Sequence, residues 1–255
     1  MKTVYSCGPT TYSRAHIGNL RSFVFADNEV KKLEAEGHVV NWVMNITDID
    51  DKILDACGIG ADTVLEWDKH LPIIREFTEP FNQQFKKDLQ SIGIDTSRIT
   101  FVRATDHIET MRQISELDAI IQADMSGELE FAIWKDDKNR PGWHLECTAM
   151  ILACFGDTVD LHTGGIDLKF PHHENENIIF EAFTGKPIAR EFKYCNYLIV
   201  DGDKMSKSLG NQYTLEDLKQ RGYNGRQLRA LFDNSNDKRV LDFTFDKLDK
   251  YGELV

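Results

Sequence analysis

A strand, a helix and a second strand fit within the first 44 residues, and that compression leaves few folds open. Lys2–Cys7 alternates and ends at Gly8-Pro9, as a strand entering a loop should. From Gly18, apolar side chains recur at three- and four-residue spacings (Leu20, Phe23, Val24, Val30, Leu33) until Gly37 stops the pattern. His38–Met44 then reads as the second strand. So short a β-α-β run predicts an α/β fold with a parallel sheet and a right-handed crossover. The 255 residues, 41% of them apolar, suffice for one large α/β domain with an insertion.

From about Ile53 to Arg140 the rhythm breaks. Long helices are predicted over Leu65–Leu89, interrupted at Pro72 and Pro80, and over His107–Ala123, with a hairpin near Met125–Trp134. This reads as a mostly helical insertion. At Gly142 the α/β pattern resumes: a helix over His144–Phe155, a strand at Thr158–His162, a helix at His172–Phe183 and a strand over Phe192–Val200. A loop and short helices follow, one of them opened by the capping box Thr214–Asp217.

The net charge of −12 argues against indiscriminate nucleic-acid binding. Acids and bases balance in residues 201–255, however, so the acidic excess lies in the first 200 residues. The C-terminal quarter can therefore touch a polyanion, or be a solvated helical surface. No apolar run approaches the length of a bilayer span, and the N-terminus has no signal-peptide pattern, so a cytoplasmic protein with no membrane partner is expected. Five scattered cysteines do not form a disulfide framework and are expected to be reduced.

Three local signatures carry chemistry. His16-Ile-Gly-Asn19 lies between the first strand and helix, where Gly18 lets a phosphate approach backbone N–H groups at the helix entry. Such a turn can equally be a plain capped loop. Lys204-Met-Ser-Lys207, on a Gly- and Ser-bearing loop, suits a cationic clamp for polyphosphate or a basic surface loop. His172 and Glu176 share a face of one predicted helix, Cys147 lies 25 residues before His172, and Cys7 ends the first strand. Two thiolates, an imidazole and a carboxylate meeting at one sheet edge suit zinc, while the same cysteines are at home as small buried side chains.

Together these segments resemble class I aminoacyl-tRNA synthetases, and specifically the cysteinyl-tRNA synthetase family. The resemblance runs through Cys7-Gly-Pro-Thr10, His16–Asn19, Asn45–Lys52, Gly142–Cys147, His162–Leu168, Phe170–Glu176 and Lys204–Ser208, and covers essentially the whole chain. It implies a Rossmann-like nucleotide-binding catalytic domain split over 1–53 and 142–200. A shortened insertion over 54–141 and a phosphate-loop and short helical region over 201–255 would complete it. It implies zinc on Cys7, Cys147, His172 and Glu176, with Trp143 walling the L-cysteine pocket and Thr47 at the substrate ammonium. His16 and Asn19 would meet ATP phosphates, with Gly164, Gly165 and Asp167 at the adenosine. Lys204 and Lys207 would clamp the phosphates, and magnesium would arrive with ATP.

The implied activity is ATP-dependent formation of cysteinyl-adenylate and transfer to the 3′ end of tRNA. Transfer to a small-molecule amine, as in mycothiol-pathway ligases, and a non-catalytic cysteine- or zinc-binding paralogue are the alternatives. Three departures stand out: Asn19 where the signature has a second histidine, Thr163 for a glycine, and Tyr194-Cys195-Asn196 for a histidine-bearing turn. No anticodon-binding domain is expected in this chain. A partner protein could then supply anticodon recognition, and tRNA contacts would fall on the basic stretch Lys204–Lys250, Arg226 and Arg229 included.

Overall fold

A computed structural model describes residues 1–116, 134, 138–206 and 209–252. The second half of the predicted 107–123 helix, all of the Met125–Trp134 hairpin except Trp134, and Lys207 lie outside the described residues. Five strands, β1 (Lys2–Ser6), β2 (Val40–Ile46), β3 (Ile99–Arg103), β4 (Val159–Gly165) and β5 (Ala189–Cys195), form one parallel sheet in the order β3-β2-β1-β4-β5. The chain runs outward from β1 through β2 to β3, then returns to the other side of β1 with β4. That reversal makes a switch point between β1 and β4, where the C-terminal ends of α/β strands leave a crevice.

The two-residue strand period sorts the core. Val4, Trp42 and Met44 face one side with Leu20, Phe23 and Val24 of α1 (Ile17–Ala35). Tyr5 and Val43 face the other, under α5 (Trp143–Phe155) and α6 (Glu174–Thr184), which contribute Leu145, Met150, Ile151 and Phe180. Between β2 and α5 run α2 (Asp51–Ala56), α3 (Trp67–Ser91) and α4 (Ile108–Ser115). After β5 a smaller sheet, β6 (Leu198–Val200), β7 (Asp203–Lys204) and β8 (Leu241–Phe243), is ordered β7-β6-β8. It is joined by α7 (Leu215–Gln220), α8 (Gly225–Asp233) and α9 (Phe245–Asp249), whose Phe232, Phe243 and Leu248 enter the core on the α1 side. No helix among the described residues is long and apolar enough to cross a membrane.

Three expectations change. The helix predicted to break at Pro72 and Pro80 is continuous, because both prolines lie on its exposed side, where water can reach the carbonyls they leave unbonded. The expected insertion over 54–141 contains β3, which pairs in register with β2 (Met44 opposite Phe101) and so belongs to the catalytic sheet. The strand predicted over Phe192–Val200 is two strands in two sheets. At the junction, the Asn196 N–H donates to the Asp237 carbonyl, and Arg21 gathers the Asn196 and Tyr197 carbonyls.

Candidate active site

The four residues expected to hold zinc converge. Cys7 leaves the end of β1, Cys147 lies on α5, and His172 sits on the helical turn that leads into α6, which carries Glu176. Cys7 Sγ is 4.0 Å from Cys147 Sγ and 3.8 Å from Glu176 Oε1. His172 Nε2 is 3.6 Å from Cys147 Sγ and 2.8 Å from Glu176 Oε1. All four ligand atoms lie within 4.8 Å of one another and all four residues are buried. Tetrahedral zinc with Zn–S near 2.3 Å and Zn–N or Zn–O near 2.0–2.1 Å separates its ligand atoms by about 3.3–3.8 Å; the Cys7–Glu176 and Cys147–His172 distances match this, and the 4.0 Å between the thiols and 2.8 Å between His172 and Glu176 need shifts of about half an ångström or less.

Cys7 and Glu176 also stand with His162 and His173 in a second four-residue group. The set with two thiols is the softer and suits zinc better. His162 Nε2 is instead 2.8 Å from Glu176 Oε2, and His173 lies between Cys7 Sγ and the Tyr194 hydroxyl, 3.3 Å from each. These two histidines carry no role in the sequence reading. The signal that could have found them is their position: His162 lies in β4 beside the switch point, and His173 follows a ligand on a helical turn.

The electrostatics form one unit. Burial opposes ionisation of Glu176, but His172, His162 and His173 outweigh it and hold its carboxyl well below the usual range. Burial alone would lower His172, yet the Glu176 carboxylate and Cys7 push it up to about 10. Burial also opposes ionisation of Cys7, but the Cys147 thiol and the nearby imidazoles hold Cys7 well below an ordinary thiol, whereas burial beside Cys7 pushes Cys147 up. Burial, with His172 beside it, lowers His144 to about 4. His144 is therefore neutral, and its Nδ1 can accept from His172 Nδ1 at 2.9 Å, leaving His172 Nε2 facing the cluster. Trp143 is 45% exposed and stacks on His172 with ring centroids 4.1 Å apart, so it lids the cluster instead of packing into the core. Thr47 follows β2 and is buried beside the loop after β1, where its carbonyl accepts from the Thr11 N–H at 3.0 Å.

A second cavity, about 470 Å³, is lined by His16, Gly18, Asn19, Gly165, Asp167 and Lys204, together with Cys195–Ile199. His16 caps α1: its Nδ1 accepts from the Asn19 N–H, while Asn19 Oδ1 accepts from the His16 N–H, both at 3.2 Å. With Nδ1 an acceptor, the proton sits on Nε2, which is left to donate. Burial lowers the His16 pKa and Asp167 opposes this only partly, so the ring is neutral near pH 7. Asn19 thus takes part in a capping box as well as lining the cavity. A Cβ on Gly18 would meet the movable tip of Met205 at 2.6 Å and the His16 ring at 3.0 Å, so the lysine loop lies directly on the helix entry.

Two expectations are corrected here. Gly165 and Asp167 line this cavity, but Gly164 does not; a Cβ on Gly164 would strike the His173 ring at 2.9 Å. Gly164 makes room for the His173 imidazole. Thr163, the departure from glycine, is buried, and its Oγ1 is hydrogen-bonded with Ser6 Oγ at 2.7 Å. The basic stretch is also revised. Arg229 is not free for RNA, because it pairs with buried Asp27 at 2.7 Å and with Asp233 at 2.8 Å, while Arg226 is exposed.

The fold and the site together place the chain in a class. Methionyl-tRNA synthetase of Mycobacterium tuberculosis, solved with methionyl-adenylate, superposes with a TM-score of 0.70 over 99% of this chain and 68% of that one. At 12% identity that likeness speaks for the fold alone. The chain matches the description "tRNA synthetases class I (C) catalytic domain" over residues 1–132 and 116–252, and it belongs to that family. Among individual proteins it is similar to the cysteine--tRNA ligases of Solibacter usitatus (35% identity, 96% of this chain) and Brachyspira hyodysenteriae (35%, 99%). The chain spans 61% and 64% of those relatives' lengths.

Proposed function

We propose that the chain activates L-cysteine with ATP and passes it to the 3′ end of tRNA. The observation that carries this is the pairing of two features at the C-terminal edge of one sheet: a buried donor set of two thiols, an imidazole and a carboxylate, and a cavity of about 470 Å³ at the α1 entry. Zinc on Cys7, Cys147, His172 and Glu176 would supply a soft Lewis acid that favours a thiolate over a hydroxyl. Trp143 covers that position and limits water, and Thr47 stands at the strand end where the substrate ammonium is read. ATP, arriving with magnesium, lies along the second cavity with its ribose hydroxyls at Asp167 and its base against Cys195–Ile199. His16 Nε2–H, the α1 N-terminus and the lysine loop meet the phosphates, Lys204 directly and Lys207 as a member of the same motif.

The substrate carboxylate attacks the α-phosphorus, and the bond to the β-phosphate bridging oxygen breaks to release pyrophosphate. No side chain acts as a nucleophile; the protein contributes position and charge. The named relatives are cysteine--tRNA ligases, which favours tRNA over a small amine as acceptor and catalysis over a non-catalytic role. Cysteine-dependent ATP–pyrophosphate exchange tests the reading. Serine should support exchange at least about a thousandfold less well, because a site built for one polar group rejects an analogue that leaves it unmatched. Comparable exchange with serine would show that the cluster does not select the substrate.

A further inference from the structure

The metal cluster holds more donors than one tetrahedral ion can use. Beside the four residues already placed stand two further buried imidazoles, His162 and His173. With Cys7 and Glu176 they form a second set whose donor atoms all lie within 4.8 Å of one another. Six residues thus offer two four-donor sets that share one thiol and one carboxylate. Imidazoles are a costly way to fill a core, since each brings polar nitrogens that must be matched. Nitrogens that converge with a thiol and a carboxylate are metal ligands by type.

The two shared residues face both sets at once. Glu176 Oε1 is 2.8 Å from His172 Nε2, while its Oε2 is 2.8 Å from His162 Nε2. A carboxylate with one oxygen directed at each set can bridge two ions. Cys7 Sγ lies 4.0 Å from Cys147 Sγ and 3.3 Å from His173 Nε2, and a thiolate sulfur can bridge in the same way. Packing fixes both added rings. Tyr5 meets His162 edge-on with centroids 5.2 Å apart, and Phe192 stacks on it at 5.3 Å. The Tyr194 hydroxyl lies 3.3 Å from His173 Nδ1, which leaves Nε2 for Cys7. Tyr194 belongs to the turn at which this chain departs from the family pattern.

We propose that Cys7, His162, His173 and Glu176 hold a second divalent ion of the zinc class, bridged to the first through Cys7 and Glu176, a proposal that rests on the zinc reading above. The second position is the weaker. It shares two ligands with an ion already bound, and the two cations repel. It has one thiol where the first set has two. His162 Nδ1 also has no hydrogen-bond partner among the described residues, and the loss of such an outer contact costs about 10–100-fold in metal affinity. The second position therefore fills from added metal, after the first.

The test is titration of chelator-treated protein with cobalt(II), followed by visible absorption and electron paramagnetic resonance, with zinc counted by elemental analysis in parallel. Wild type should take up two equivalents, the second about 10–100-fold more weakly. The resonance of the first ion should fall as the second enters, because shared ligands couple the two spins. His162→Ala/His173→Ala should take up one equivalent and show no such fall. Where that double variant does not fold, His173→Gln should weaken the second equivalent by about tenfold or more and leave the first in place. Saturation of wild type at one equivalent overturns the proposal while the zinc reading stands. Two equivalents in the double variant overturn it too, since the second ion then sits elsewhere, as does a second equivalent that leaves the first resonance intact. A wild type that takes up no metal sinks both readings.

Discussion

Replacing Arg21 should cost more stability than its place on a helix suggests, and the amount can be worked from its contacts. Arg21 is 1% exposed, and its two terminal nitrogens donate to four backbone carbonyls at 2.6–3.0 Å. Arg21→Ala leaves those four acceptors without the donor that holds them. An unsatisfied buried acceptor costs about 1–3 kcal/mol, less where water can enter. All four residues line open cavities and can partly rehydrate, so the net loss should be about 3–5 kcal/mol, below the sum of four full penalties. For a chain of this size, about 2–4 °C per kcal/mol turns that into a Tm lower by roughly 6–20 °C. Arg21→Lys keeps the charge but cannot span both arms, and should lose about half as much. Differential scanning fluorimetry reads the stability, and exchange kinetics read the pocket: KM for ATP should rise while KM for cysteine stays. A Tm within about 2 °C of wild type for Arg21→Ala, with KM for ATP unchanged, would refute the claim that this guanidinium holds the pocket wall.

Metal content follows the donor geometry. Protein purified without added metal should carry one zinc per chain by elemental analysis, and Cys147→Ala should lose it; zinc retained at full stoichiometry in both Cys147→Ala and Cys7→Ala would sink the assignment. The pH dependence of stability should report Glu29, which ties α1 to β5 through Lys193 at 2.8 Å and also pairs with Lys32. Burial opposes its ionisation, but the two lysines outweigh that and hold its carboxyl below the usual range. A depressed folded pKa means its stabilisation is fully present above the unfolded value, about 4.3, and is lost as pH falls through the folded value. Glu29→Gln should therefore be less stable than wild type at pH 7, with the gap closing below pH about 4 in thermal melts. A gap that persists unchanged at pH 3 would show that packing, not charge, is lost.

The convergence of Cys7, Cys147, His172 and Glu176 was legible in the sequence because each sits where a periodic rule puts it. An i, i+4 pair needs only a helix to share a face, and residues at strand ends need only a parallel sheet to share an edge. His144 and His173 were not legible, since they are chain neighbours of Trp143 and His172, and only the angle at which α5 meets the turn before α6 decides which rings face inward. The β3 strand was missed because Ile99–Arg103 is five residues between helices, too short for a period to declare itself against a helical background. Gly164 was misread for a related reason. A paired glycine announces close approach but does not say by what, and here one glycine admits an imidazole and the other leaves room for the Asp167 carboxylate.

Arg229 and Arg239 show how much of the surface chemistry depends on partners that no local pattern reveals. They are ten residues apart, and in the sequence they are equivalent bases. Asp27, fully buried in α1 and 202 positions earlier in the chain, takes Arg229 out of play at 2.7 Å, with Arg98 and Lys31 completing the network. A buried carboxylate needs cations beside it, and α8 brings one of the three that surround Asp27. Arg239 makes no ion pair among the described residues and lines an open cavity. The same helix α1 therefore sorts the two. Its middle consumes one arginine to dock the C-terminal region, and its first turn, through Arg21, fixes the backbone of the other beside the nucleotide pocket. The docking of this region and the backbone geometry at the cavity beside the α1 entry are thus set by one element.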